Sequence, residues 1–143
     1  ARLVAGRFSA PENLGSVLNT AKQDIEPWVS ADGKLLLFAS NGRKDTHGAY
    51  DIYVSYLCGG SWNEPRTLGN EVNSPAWDFG PRLSPDGRFL FFTSNRTAAE
   101  RAPSRALSFE ELVARVRAPG NGLRDVYRIE TDAIDLRPPG CDP

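Results

Sequence analysis

Apolar positions fall in short bursts along this chain, with the same polar punctuation recurring between them. Residues 35–39 and 89–92 are near-continuous apolar and aromatic runs, of the length that suits strands covered on both faces. Each follows a Ser-x-Asp-Gly tetrapeptide, Ser30-Ala31-Asp32-Gly33 and Ser84-Pro85-Asp86-Gly87, which reads as a tight hairpin turn between two strands. The coincidence extends well beyond the turns. Sliding the chain by 54 residues lays 8–42 over 62–96 without a gap and gives identities at Pro11/Pro65, Leu14/Leu68, Gly15/Gly69, Asn19/Asn73, Asp24/Asp78 and Pro27/Pro81. They continue at Ser30/Ser84, Asp32/Asp86, Gly33/Gly87, Leu36/Leu90, Phe38/Phe92, Ser40/Ser94 and Asn41/Asn95. The chain is therefore an internal duplication, which must be recognised before any fold is assigned.

After Asn95 the register slips. Asp51-Ile52-Tyr53-Val54 matches Asp125-Val126-Tyr127-Arg128 at an offset of 74, so the second copy carries 20 extra residues (74 minus 54). Each copy offers a third strand, at 51–56 or 125–130, and a fourth, at 62–68 or 133–137. The fourth has a proline within or beside it (Pro65, Pro138), and proline lacks the N–H that an interior strand must donate, so this is an edge strand. Four antiparallel strands with the last outermost, at a period near 50, describe a propeller blade. The predicted fold is all-β: two four-stranded blades over about 24–69 and 78–137, a partial outer strand at 3–8, and one short helix inserted in the second blade. The whole chain, 1–143, reads as a single module.

The insertion, 97–122, supplies that helix. Ser108-Phe109-Glu110-Glu111 is a capping box, in which the Ser108 hydroxyl accepts from the Glu111 amide while the Glu111 side chain returns to the cap. Phe109, Leu112, Val113 and Val116 follow at helical spacing and form one apolar stripe. The stripe is either a lid packed on its own blade or a docking surface.

Alternate turns of an antiparallel blade lie at the same end. The long segments 15–23, 41–49, 69–77 and the insertion therefore share one side, which is the expected recognition side. Its candidate contacts are Trp28, Trp77, Phe79, Arg82 and the Phe109 helix, although a tryptophan between blades is more often core. Asp24 and Asp78, beside Glu26 and Phe79, sit where the innermost strand begins. They either fix the incoming loop through backbone N–H groups or face a cation or polar ligand. Asp51 and Asp125 are expected to fix turns.

The combined motif resembles a known family. Asp24-x-Glu-Pro-x-x-Ser-x-Asp-Gly-Lys, then Phe38-Ala39-Ser40-Asn41, Tyr50-Asp51-Ile52-Tyr53-Val54-Ser55 and Trp62-Asn63-Glu64-Pro65, is similar to the WD-repeat-like blade of TolB-type β-propellers. The second copy, Gly80-Pro81-Arg82-Leu83-Ser84-Pro85-Asp86-Gly87-Arg88, is closer still. Trp77-Asp78 is not part of that likeness, because the pair precedes a first strand instead of closing a third. The resemblance implies a bacterial, exported, periplasmic or secreted module that binds partners without catalysis. Fold alone does not set function, and the alternative is an enzyme or the gating domain of a peptidase or carbohydrate-active enzyme.

Composition narrows this further. Seventeen Lys and Arg against eighteen Asp and Glu give a net charge of -1, without the basic footprint that nucleic acid requires. No apolar run approaches the roughly 20 residues of a membrane-spanning helix. The chain has no Met, so an initiator or leader is expected to have been removed. No Gly-x-Ser-x-Gly elbow is present, and the only histidine, His47, lies in a polar loop. No cofactor, metal ligand set or catalytic residue is expected. Asp24 and Asp78 occupy equivalent environments, whereas acid and base roles need environments that differ. Asn95-Arg96-Thr97 fits a glycosylation sequon but is discounted. Cys58 and Cys141 are placed at opposite ends of a strand about 17 Å long, and a disulfide tolerates about 7 Å between Cα atoms. No intrachain bridge is expected unless the proline-rich tail doubles back. Two blades leave apolar faces uncovered, so a protein partner, or self-association to complete the propeller, is expected.

Overall fold

A computed structural model describes residues 3–97, 105–138 and 140. The strands are β1 (Leu3–Val4), β2 (Arg7–Phe8), β3 (Asp24–Val29), β4 (Leu35–Ser40), β5 (Asp51–Cys58), β6 (Ser61–Trp62), β7 (Arg66–Thr67), β8 (Asp78–Leu83) and β9 (Phe89–Ser94). Helix α1 (Phe109–Arg117) and strand β10 (Asp125–Glu130) follow, and a 3-10 turn at Thr131–Ala133 ends the regular structure. The protein is mostly strands, all paired antiparallel within their sheets, with a single α-helix among the described residues. The described strands form no closed sheet.

Both duplicated hairpins are built by the same local chemistry. Ser30 Oγ accepts the Leu35 N–H at 2.9 Å and Asp32 Oδ1 accepts the Lys34 N–H at 3.1 Å. Ser84 and Asp86 repeat both bonds toward Phe89 and Arg88, at 3.0 and 3.1 Å. Gly33 and Gly87 close the two turns at φ 71°, a left-handed conformation that only glycine adopts without cost. The Ser30 and Ser84 hydroxyls also donate to Asp32 and Asp86, and chiefly these bonds, then the Lys34 and Arg88 N–H groups, hold both carboxyls below the ordinary carboxylate range.

β3, β4 and β5 pair in order, and the outer edge of β5 is covered by two fragments, β6 and β7, with Asn63, Glu64 and Pro65 between them. β8, β9 and β10 form the second sheet. The sheets pack face to face. Leu37, Ile52, Val54 and Tyr56 of the first meet Leu90 and Phe92 of the second, joined by Leu68 and Val72 from the connection and Ile134 from the tail. On the opposite face of the first sheet, Leu36, Phe38 and Tyr53 form a smaller buried cluster with Leu18.

Three expectations need correction. The second sheet has three strands, since residues 133–137 do not pair with β10. Instead, the Tyr56 hydroxyl donates to the Leu136 carbonyl at 2.6 Å, and Arg66 donates to the carbonyls of Asp135 and Arg137. The tail is thus drawn across to β5, where Ile134 and Leu136 join the core. Second, residues 3–8 pair with each other as a small hairpin and with neither larger sheet. Third, Cys58 is disulfide-bonded. Cys141, the other cysteine of the sequence, lies outside the described residues; the described tail returns to β5, which is the doubling back named as the exception to the expected absence of a bridge.

Candidate functional site

The recurring aspartates are occupied by the loops that precede them. Asp24 Oδ2 accepts the Thr20 N–H at 2.6 Å and the Thr20 hydroxyl at 2.9 Å, while Oδ1 accepts the Ser40 hydroxyl at 2.7 Å. Asp78 Oδ2 takes the Ser74 N–H and hydroxyl at 2.6 and 2.8 Å. Its Oδ1, however, receives the Arg96 guanidinium at 2.7 Å, and the carboxylate is fully buried. Asp51 accepts the N–H groups of His47 (2.7 Å) and Gly48 (3.2 Å), and Asp125 that of Gly120 (2.6 Å), as turn-fixing residues should. Burial pushes the Asp51 carboxyl above its usual range; the two N–H groups oppose that shift and the nearby Asp78 charge adds to it. A buried carboxyl beside a differently placed carboxylate is the arrangement that separates acid from base roles. Here both are enclosed, with no more than 1% exposure, so no substrate reaches either. No group of three or more His, Cys, Asp or Glu among the described residues converges as a metal site.

Two arginines absent from the sequence expectations complete these clusters. Arg43 donates to the Leu18 carbonyl at 2.6 Å and lies over the rings of Phe38 and Tyr53, at 5.2 and 5.3 Å. Arg96 donates to the Val72 carbonyl and lies over Phe92 and Tyr127, at 5.2 and 5.0 Å. These carbonyl and ring partners are related by the duplication, whereas Asp78, which Arg96 also grips, and Glu64, 3.6 Å from Arg43, are not, and the arginines are offset by 53 residues, not 54. A gapless alignment sets Arg96 against Gly42 and hides the equivalence; the detectable signal was one arginine just after each Ser-Asn pair.

The remaining candidates divide between core and surface. Trp28 is half-buried against the main core. Glu26 is exposed, at a bulge in β3, with φ 52°. Its duplicate, Gly80, sits at the matching bulge of β8 with φ 64°. Trp77 is partly exposed, packs on Tyr50 at 5.4 Å and, with Phe79, lies under the Arg124 guanidinium, at 6.0 and 5.4 Å. Arg82 is exposed on the same face of β8 as Phe91, its partner in β9. Asp24 and Asp78 share no hydrogen-bond partner among the described residues.

Helix α1 carries the expected capping box, with Ser108 Oγ accepting the Glu111 N–H at 3.2 Å and Glu111 accepting the Ser108 N–H at 2.8 Å. The Arg105 guanidinium, then the Ser108 N–H, lowers Glu111 to about 2. None of the helix is buried, and Phe109 is 80% exposed. Leu112 and Val116 are exposed and Val113 half-buried. Leu112 and Val116, with Leu107, Leu123 and Thr97, line an open groove of about 740 Å³. The stripe is therefore not a lid closed onto the sheets. No helix among the described residues is long and apolar enough to cross a membrane. No protein-family model matches the chain, and no curated protein matches it.

Proposed function

We propose that the chain is a pair of β-propeller-type blades of the TolB-like class, acting outside the cytoplasm as a non-catalytic binding module. The observation that carries this reading is the apolar stripe of α1, held open to solvent above a groove while every recurring carboxylate is engaged in fixing a loop. Contiguous exposed apolar surface on a folded chain marks an interaction site. An oxidised Cys58 supports an oxidising compartment, where disulfides persist. The partner on this reading is a protein that seats apolar side chains against Phe109, Leu112 and Val116.

The test is affinity enrichment from the secreted or periplasmic fraction of the source organism, comparing wild-type bait with a Leu112→Asp/Val116→Asp variant. A protein held by the wild type and lost by the variant is expected. Equal retention by both baits overturns the docking face, and hydrolysis of a peptide or glycoside that disappears in Asp24→Asn or Asp78→Asn overturns the non-catalytic reading.

A further inference from the structure

The duplication places both halves of an interface at opposite ends of the molecule, and the same interface is already assembled in the middle. Between the repeats, β7 adds to the outer edge of β5, with Thr67 opposite Tyr53 and Arg66 opposite Val54. The chain then crosses to the second sheet. On the way the Leu68 N–H donates to the Ile52 carbonyl at 3.2 Å, and the Asn73 side chain grips the same residue, accepting its N–H at 2.7 Å and donating to its carbonyl at 3.0 Å.

Every element of that joint recurs without its mate. The duplicate of β5 is β10, whose second edge pairs with no strand among the described residues, because the tail leaves for β5. The duplicate of 62–68 is the segment 8–14, which is exposed throughout. Leu14 is 52% exposed where Leu68 is 7%; Val126 is 76% exposed where Ile52 is fully buried; Phe91 is 38% exposed where Leu37 is fully buried. The Asn19 amide keeps the bond to Asn13 that Asn73 makes to Thr67, and gives to the Gly15 carbonyl the N–H that Asn73 gives to Ile52.

We propose that segment 8–14 of one copy adds to the open edge of β10 in a second copy, head to tail, as β7 adds to β5 within the chain. Asn19 then holds the backbone of Val126 in the neighbouring copy, as Asn73 holds Ile52. The charges agree with this placement. The position of Arg66 is taken by Glu12, and the position of Val54, opposite it, by Arg128. Neither makes an ion pair among the described residues, and directly opposed strand residues of opposite charge attract. The joint is heterologous, so successive copies either close into a ring or extend. It does not depend on the α1 docking face and survives if that reading fails.

The test uses the full chain. Light scattering across a dilution series should give a mass of two or more copies that falls toward one copy on dilution, or a ring of constant mass. In parallel, Glu12→Cys and Arg128→Cys are made as separate variants, both at exposed positions that leave the core untouched. Opposed strand residues lie about 4.5–5.5 Å apart at Cα, within disulfide range. A mixture of the two under mild oxidation should yield a covalent dimer far in excess of either variant alone. A one-copy mass throughout overturns the proposal. So does self-association with no preference for the mixed pair, which would mean a different contact.

Discussion

In the first repeat Asp24 is half-buried and holds a loop through Thr20 and Ser40; in the second, Asp78 is fully buried and holds the matching loop while neutralising Arg96. The loop-fixing geometry is the same in both, at 2.6 Å from each preceding backbone N–H. What differs is the neighbour. Asp78 lies where the two sheets pack, so solvent is excluded and a guanidinium replaces it, whereas Asp24 lies on the side of the molecule that no third sheet covers. The same motif is therefore a local staple in one copy and part of a buried ion pair in the other.

The largest test of this contrast is alanine at each position. Removing Asp78 leaves the Arg96 charge largely enclosed without its partner, which costs about 3–5 kcal/mol. Removing Asp24 deletes neutral and backbone hydrogen bonds at a half-open site and costs about 1–2 kcal/mol. Urea denaturation of the two variants checks the ranking, and equal losses would mean that Arg96 finds another acceptor.

A smaller effect separates the two bulges. Glu26 holds a left-handed backbone that its duplicate satisfies with glycine, so Glu26→Gly should stabilise the protein by about 1 kcal/mol. The reverse change, Gly80→Ala, should destabilise it, because a Cβ there comes within 2.9 Å of Glu26 Oε2 in a backbone that disfavours side chains. Thermal unfolding of the pair reads both signs. A loss of stability in Glu26→Gly would show that the glutamate side chain does more for the fold than its backbone costs.

The smallest effect lies at α1, the element that belongs to one copy only. Arg105 and the Ser108 N–H hold Glu111 at about 2, so its support for the helix is complete above the ordinary carboxylate value and is lost as pH falls through about 2. Backbone chemical shifts of residues 109–117 should move toward coil over that acidic window, while those of β4 and β5 stay in place. An α1 unaffected by acid would assign its stability to contacts other than the cap.

What the sequence disclosed was mostly short-range. The Ser-x-Asp-Gly turns, the strands on either side of them and the capping box each depend on residues within five positions, and all form as their spacing implies. The fate of residues 133–137 depends on Tyr56 and Arg66, some 70 to 80 positions away, and no local pattern reports such a competition. The Cys58 bridge was expected only if the tail doubled back, and that return is set by the same distant contacts. At the candidate site, the aspartates were visible as duplicated letters, but Arg43 and Arg96 were not, because one-residue drift breaks an alignment while leaving their carbonyl and ring contacts intact.

That drift also limits modularity. The two copies look exchangeable when written one above the other, yet an arginine transplanted in register to position 42 would drive its Cβ into the Thr20 side chain, while Arg43 already occupies the seat over Phe38 and Tyr53. Shuffled chimeras of this chain must therefore be cut outside 40–43 and 94–96. The ancestral unit survives here as a set of handshakes, and the positions that make them have been free to wander.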